Sequence, residues 1–239
     1  MVLFLEELNT VEFSDLVKKG ALTILPIGAV EGHGPHLPLG TDMIQPMALA
    51  VRLSERFDAI IAPPIHYGEC SSTKNLPGTI SLSFDTLRAV VREVLEELYR
   101  QGVRRILVLS GHAARAHLMA QREAGKEVMK RFPDLRLMIL SDYEIAYELL
   151  GKDFEADDGH AGDIETSRIL QHREDLVKER PPKADIKKNN YMIKSDMGEF
   201  FPAGYWGDPT KATKEKGKQV DDFVFKELER LITENLLDD

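Results

Sequence analysis

Cysteine is almost absent: Cys70 stands alone in 239 residues, which excludes an internal disulfide and any cysteine-rich zinc site. Metal binding must then rest on His, Asp and Glu. A basic arm or stripe is missing as well. Lys plus Arg number 31 against 40 Asp plus Glu, a formal charge of −9, and this acidic balance argues against nucleic acid as a partner. The N-terminal stretch MVLFLEELNTVEF lacks a basic flank and meets Glu6 and Glu7 after a short apolar run, so it fits neither a signal peptide nor a membrane span. No membrane partner is expected, and a cytoplasmic location follows. Internal repeats, low-complexity linkers and shifts in composition are missing too, so residues 1–239 are expected to form a single domain with one substantial core.

Against these absences stand 43% hydrophobic and 30% charged residues, the balance of a compact globular chain. Four short apolar runs, Leu22 to Ile27, Ala59 to Pro63, Arg105 to Ser110 and Leu135 to Ser141, are too continuous for half-exposed strands and read as buried strands of a mainly parallel sheet. Helical patterns lie between them. In SFDTLRAVVREVLEELYRQG, Leu87, Val90, Val91, Val94, Leu95 and Leu98 share one face; Ser83 or Asp85 can cap that helix and Gly102 can end it. Met43 to Phe57 and Ala113 to Phe132 are the other crossover helices. The alternation predicts an α/β three-layer fold with a mainly parallel central sheet flanked by helices. Beyond Ser141 come an acidic stretch, a helix near Asp163 to Gln171, a polar Pro/Lys segment from Lys178 to Asn190, and a final amphipathic helix near Lys214 to Leu237.

In open α/β sheets ligands sit beyond the carboxyl ends of the strands, and the chemistry-bearing residues fall there. In EGHGPHLPLGTD, at 31–42, Glu31 and His33 begin four residues beyond the first expected strand, and His112 lies two residues beyond the third. A third cluster, DDGHAGDIETS at 157–167, sets His160 on a glycine-flanked turn and Glu165 in the first turn of a following helix. A Glu-x-His pair alone is an ordinary capping or surface pair; the combination is what carries weight. Two divalent ions about 3.5–4 Å apart need a bridging carboxylate and terminal His, Asp or Glu ligands. Glu31, His33, Asp42, His112 and Glu165 are a sufficient set. Gly32 and Gly34 let the backbone turn so that Glu31 and His33 face one site, while Pro35 and Pro38 stiffen the excursion until Asp42 returns to it.

The segments PIGAVEGHGPHLPLGTD, SGHAARAH and GHAGDIETS resemble, in order and spacing, the creatininase (creatinine amidohydrolase) family. YGECSSTKNLPGTISL and GDPTKATKEKG resemble further segments of it, so the likeness runs from about residue 20 to 220. The resemblance implies two divalent metal ions per chain, zinc first, with manganese and iron also able to use the ligand set. It implies that Asp42 bridges, that Glu31 and His112 hold one ion and His33 and Glu165 the other, and that a bridging hydroxide attacks the substrate. For His160 it implies an acid/base or positioning role beside a small-molecule substrate, and for the assembly a homo-oligomer, a hexamer.

His36 is expected behind the ligands, turning Asp42 or a neighbour through its ring N–H. Lys74, in a loop that the resemblance sets at the rim, and Arg115, at the mouth of a strand-end site, are candidate substrate contacts. Asp163 suits the N-terminal dipole of the helix that carries Glu165. His66, His117 and His172 match no ligand position and are expected to be structural or solvated. Tyr205 and Trp206, between Gly204 and Gly207, could close over a substrate or pack between subunits.

Departures from the family pattern bear on the substrate. Many relatives carry Gly-Gly-Asn after the third-strand His, and creatinine-hydrolysing members carry an acid two places after it; here stand Ala113, Ala114 and Arg115. Creatinine-specific members also sandwich the flat ring between tryptophans, and this chain has only Trp206. The expected reaction is therefore hydrolysis of a C–N bond in a cyclic amide, formamide or peptide-like amide rather than in creatinine. Relatives that open cyclic ketones of the inosose type supply an alternative reaction, and a non-catalytic binding protein braced by metal is the alternative of another class. An open coordination position separates enzyme from brace.

Overall fold

The computed structural model describes residues 2–187, 191, 197–200 and 202–238. Five strands form one all-parallel sheet in the order β1-β3-β2-β4-β5: β1 (Leu3–Phe4), β2 (Thr23–Ile27), β3 (Ile60–Ile61), β4 (Arg105–Ser110) and β5 (Arg136–Ser141). The helices are α1 (Thr10–Lys18), α2 (Thr41–Phe57), α3 (Phe84–Arg100), α4 (Arg115–Arg131), α5 (Asp142–Ala146), α6 (Asp163–Arg173) and α7 (Lys214–Ile232). From β2 the chain crosses through α2 to β3 on one side, then returns through α3 to β4 on the other. The strand order thus reverses between β2 and β4, and their carboxyl ends frame a crevice.

Alternation along the strands makes three layers. Ile24, Ile61, Leu107 and Leu109 pack with Leu49 and Leu53 of α2, Tyr143 of α5 and Val220 and Val224 of α7. On the opposite face Leu25, Ile27, Ile106 and Val108 meet Leu87, Val91 and Leu95 of α3 and Ala120, Ala124 and Val128 of α4. Each fully buried branched side chain of this kind is worth about 1.5–3 kcal/mol, so both helix layers are fastened to the sheet along its whole width. Among the described residues no helix is long and apolar enough to cross a membrane.

Several boundaries differ from the sequence expectation. The run Ala59 to Pro63 forms only a two-residue strand, because Pro63 and Pro64 have no N–H to continue the ladder. Of the run Leu135 to Ser141, β5 itself is half-buried up to its last residue, since it is an edge strand with a single neighbour. The helix expected from Met43 starts at Thr41, which puts Asp42 on the helix instead of in the preceding loop. The helix expected from Ala113 starts at Arg115. β1 and α1 were not read from the sequence, although Asn9 and Glu12 form a reciprocal capping box at the start of α1, a signature visible in NTVE. The helix α3 behaves as expected: Ser83 accepts the Thr86 N–H at 3.2 Å, and Gly102, at φ 99°, ends it. Of the polar segment Lys178 to Asn190, residues 188–190 lie outside the described residues.

Candidate metal centre

The pairing of Ile27 with Ser110 makes the loops after β2 and β4 leave the sheet side by side, so Glu31, His33 and His112 reach the same crevice. The helix α2 closes it from one face. Pro46 has no N–H, so the Asp42 carbonyl lacks its usual helical partner four residues on. Two glycines pack against that point. A Cβ on Gly28 would lie 2.7 Å from the Asp42 carbonyl oxygen, and one on Gly111 2.1 Å from it. These close approaches fix the backbone of Asp42 between the two strand ends.

Asp42 stands at the centre. Its Oδ1 is 3.0 Å from His33 Nε2, and its Oδ2 is 3.0 Å from His112 Nδ1. Glu31 Oε2 is also 3.0 Å from His112 Nδ1, and Glu165 Oε1 is 3.7 Å from His33 Nε2. The other nitrogen of each ring is spent on backbone. His33 Nδ1–H donates to the Glu31 carbonyl at 3.0 Å, and His112 Nε2–H donates to the Glu69 carbonyl at 3.0 Å. Each neutral imidazole therefore turns its lone pair toward two carboxylate oxygens. Such an arrangement is repulsive unless a proton or a cation lies between them. Glu31 Oε2 and Asp42 Oδ2 are buried without a hydrogen-bond partner, as atoms reserved for an ion would be. The residues present therefore fit a divalent metal.

The ionisation tendencies describe the same frustration. Burial opposes a charge on His33, yet Asp42 and Glu165 raise its pKa well above the ordinary value. Burial likewise opposes a charge on His112, and Glu31 and Asp42 raise it well above. Burial would raise the Glu31 carboxyl, but His112, His160 and His33 hold it well below its usual range. Glu165, despite burial, is lowered to about 2, chiefly by His33. These directions share one cause: carboxylates buried in excess draw positive charge, a proton or a cation, onto the imidazoles between them.

Glu165 is set by an unusual turn. Ala161 has φ 53°, a left-handed conformation that a non-glycine residue adopts at some cost. Its N–H donates to Glu165 Oε2. Its carbonyl accepts His36 Nε2–H at 3.0 Å. His36 is thus placed behind the Glu165 turn and not behind Asp42, and burial lowers its pKa to about 4, leaving the ring neutral. Asp163 does begin α6, but the N–H groups there are capped from outside the helix: Asp158 accepts from Asp163 at 2.7 Å and from Ile164 at 3.0 Å. Gly34 turns at φ 63° as expected. Gly32 has no left-handed φ; its role is close approach, since a Cβ there would lie 2.8 Å from Leu76 Cβ.

A cleft of 390 Å³ opens over the centre, with Tyr143, Tyr147, His160, Trp206 and Arg115 among its walls. A larger groove of 610 Å³ beside α1 and α3 is mostly apolar, and its acids are only Glu93 and Glu97. His160 Nε2–H donates to the Gly32 carbonyl at 2.9 Å, and its ring centroid lies 4.4 Å from that of His33. Trp206 packs 5.7 Å beyond His160, over Gly159, where any Cβ would collide with the indole. Tyr205 is buried against the edge of His36. The pair therefore divides between cleft wall and core.

Arg115 is exposed at the cleft mouth. Lys74 is not brought there: the turn over 71–78 points Thr73 inward and leaves Lys74 exposed, away from the cleft lining. His66 is exposed, His172 pairs with Asp221, and His117 is buried, bonded to Ser110 Oγ at 3.1 Å and to the Glu69 N–H at 3.2 Å. The sequence sets the loop around 69–74 at the rim but does not reveal the parts played by Glu69, Cys70 and Thr73. Its Thr73 hydroxyl donates to Glu31 Oε1, its Glu69 carbonyl orients His112, and the Cys70 side chain approaches Glu31 and His112. The family resemblance, which sets this loop at the rim, was the signal that pointed to it.

A parallel three-layer fold whose switch-point crevice gathers imidazoles and carboxylates in need of a shared cation defines a metal-dependent hydrolase. The chain belongs to the creatininase family: the family model described as creatinine amidohydrolase matches residues 6–232. The creatinine amidohydrolase of Pseudomonas putida is 30% identical over 245 residues, 91% of each chain. The mycofactocin precursor peptide peptidase of Mycolicibacterium smegmatis is 28% identical over 212 residues, 83% of this chain and 79% of that one. A Type II creatininase variant structure superposes with a TM-score of 0.87 at 26% identity over the whole of both chains. Creatininase structures of a Zn-Zn type and with Mn, each 25% identical over the whole of both chains, give 0.85 and 0.84.

Proposed function

We propose that this chain is a dinuclear, zinc-preferring amidohydrolase acting on a small cyclic amide, formamide or peptide-like amide that carries an anionic group, and not on creatinine. One observation carries the reading: the two oxygens of Asp42 lie 3.0 Å from two different imidazoles, each with its own glutamate, so a single carboxylate joins two half-sites. Glu31 and His112 would hold one ion, His33 and Glu165 the other. When bound, the ions supply a water of pKa lowered toward roughly 7 and polarise the scissile carbonyl.

The rest falls to the protein. Burial of the three carboxylates fixes their oxygens and keeps bulk water from screening them. His160, held by the Gly32 carbonyl at the cleft wall, is placed to pass a proton to the leaving nitrogen. Tyr143, Tyr147 and Trp206 limit the cleft to a small molecule. The guanidinium of Arg115 at the mouth suits a carboxylate or phosphate on the substrate. Creatinine is disfavoured because Ala114 stands where creatinine-hydrolysing relatives carry an acid, and Trp206 has no second tryptophan to complete a sandwich.

The test is elemental analysis of protein purified without chelator, beside Asp42→Ala, followed by assay of the loaded enzyme on panels of amides, formamides, peptide amides and cyclic ketones. About two ions per chain, lost in the variant, with turnover of an amide panel, is the expected result. No ions in either protein overturns the centre. Turnover confined to cyclic ketones transfers the chain to the alternative hydrolase, and two ions with no turnover on any panel favours the binding protein.

A further inference from the structure

The two halves of the centre differ in one donor. Beside Glu31 and His112 lies the only cysteine of the chain, Cys70, fully buried, and one donor atom from each of these three residues lies within 4.8 Å of the others. No sulfur accompanies His33 and Glu165. The Cys70 backbone is anchored: its N–H donates to Ser81 Oγ at 2.8 Å, its carbonyl accepts from the Thr73 N–H at 3.2 Å, and the preceding carbonyl holds His112. The Thr73 hydroxyl occupies Glu31 Oε1, which leaves Oε2 buried, unpartnered and directed inward, like Asp42 Oδ2.

We infer that Cys70 is a thiolate ligand of the ion held by Glu31 and His112, so that this half is a sulfur-containing site for a soft divalent metal while the His33–Glu165 half remains an all-nitrogen-and-oxygen site. The inference rests on the dinuclear reading above. It revises the sequence expectation that only His, Asp and Glu could serve. With Asp42, Cys70 brings the protein donors of that half to four, the number that saturates zinc in structural sites. The other half has three, His33, Asp42 and Glu165, which leaves it the position for water and substrate. Sulfur also sorts the metals: thiolate favours zinc, cobalt or iron, whereas the second half accepts manganese or magnesium as well. Ligation exchanges the S–H bond for a sulfur–metal bond and releases the proton to solvent, with no change of oxidation state.

Cobalt(II) added stepwise to the metal-free protein tests this, with Cys70→Ser as the paired variant and circular dichroism to confirm that both are folded. The expected record is a thiolate-to-cobalt charge-transfer band in the near ultraviolet that saturates with one equivalent, while a second equivalent adds only visible ligand-field absorption. The variant should keep the visible bands and lose the ultraviolet one. Two cobalt ions bound without the ultraviolet band would overturn the Cys70 assignment and leave the dinuclear reading standing. One ion with the band would uphold Cys70 and overturn the dinuclear reading, and no cobalt binding would overturn both.

Discussion

Two clusters of buried charge hang from one helix, a single turn apart. Glu165 of α6 faces the metal centre, and Arg168, three residues on, faces the opposite cluster. Arg168 is fully buried, with Nε 2.7 Å from Asp221 and Nη2 2.7 Å from Asp142, and His172 adds a second contact to Asp221. Cation and carboxylates there come from α5, α6 and α7 and answer one another. At the candidate metal centre the charges of Glu31, Asp42 and Glu165 face imidazoles alone, and among the described residues no Lys or Arg pairs with them. Burial of charge is thus common to both, and function is signalled by what is left over: an excess of carboxylate that borders a cleft. The Arg168 cluster, buried and paired on both sides, ties three helices together.

The sharpest way to break this comparison is Arg168→Met. The substitution leaves Asp142 and Asp221 buried without their cation. Burial already raises Asp142 to about 6 against the pull of Arg168. A loss of about 3–5 kcal/mol in unfolding free energy is expected, read by urea denaturation of the metal-free protein, with metal content of the folded fraction unchanged. A variant that kept its stability but lost its metal would reverse the roles assigned to the two clusters.

A second test uses pH. His33 and His112 have pKa values raised well above the ordinary value in the metal-free protein. A group raised in the folded state stabilises fully below its unfolded value, about 6.5, and loses that contribution as pH climbs through its folded value. The metal-free protein should therefore weaken as pH rises above about 6.5. Metal binding needs both rings neutral and should tighten over the same range, by about tenfold per pH unit for each proton displaced. Melting temperatures measured with and without zinc should diverge as pH rises. Parallel curves would remove the protonated imidazoles from the explanation. Arg168, which stays charged across this range, offers the contrast: its cluster should show no such metal-linked pH response.

Much of the centre was legible because it obeys topology. Glu31, His33 and His112 follow strand ends, and the switch-point rule places strand ends together without any knowledge of contacts. Glu165 was legible through its motif. The part played by the loop 69–73 was not, because it acts through a carbonyl, a hydroxyl and a lone sulfur, none of which leaves a periodicity in sequence. Which residue of that turn faces the cleft was not legible either: Ser72 and Thr73 line it and Lys74 is exposed beside them, and composition carries no such parity. In the fold, β3 shortened where two prolines withhold donors, and β1 was overlooked because a two-residue strand has no pattern to detect.

The smallest effect expected concerns His36, whose hydrogen bonds bear on only one half of the proposed centre. Its ring N–H holds the Ala161 carbonyl, 3.0 Å away, and lies 3.1 Å from the Thr166 hydroxyl, so it stabilises the left-handed turn whose N–H in turn holds Glu165. His36→Phe keeps the ring and the contact with Tyr205 but leaves the Ala161 carbonyl only the longer bond from the Thr166 hydroxyl, 3.4 Å. Supports of this kind are worth about 10–100-fold in metal affinity, and the loss should fall on the ion held by His33 and Glu165 while the one beside Cys70 is retained. Competition with a chelator would then show one site weakened and one unchanged. Equal weakening of both would mean that Asp42 transmits the disturbance across the bridge and that the halves are coupled more tightly than their separate supports imply.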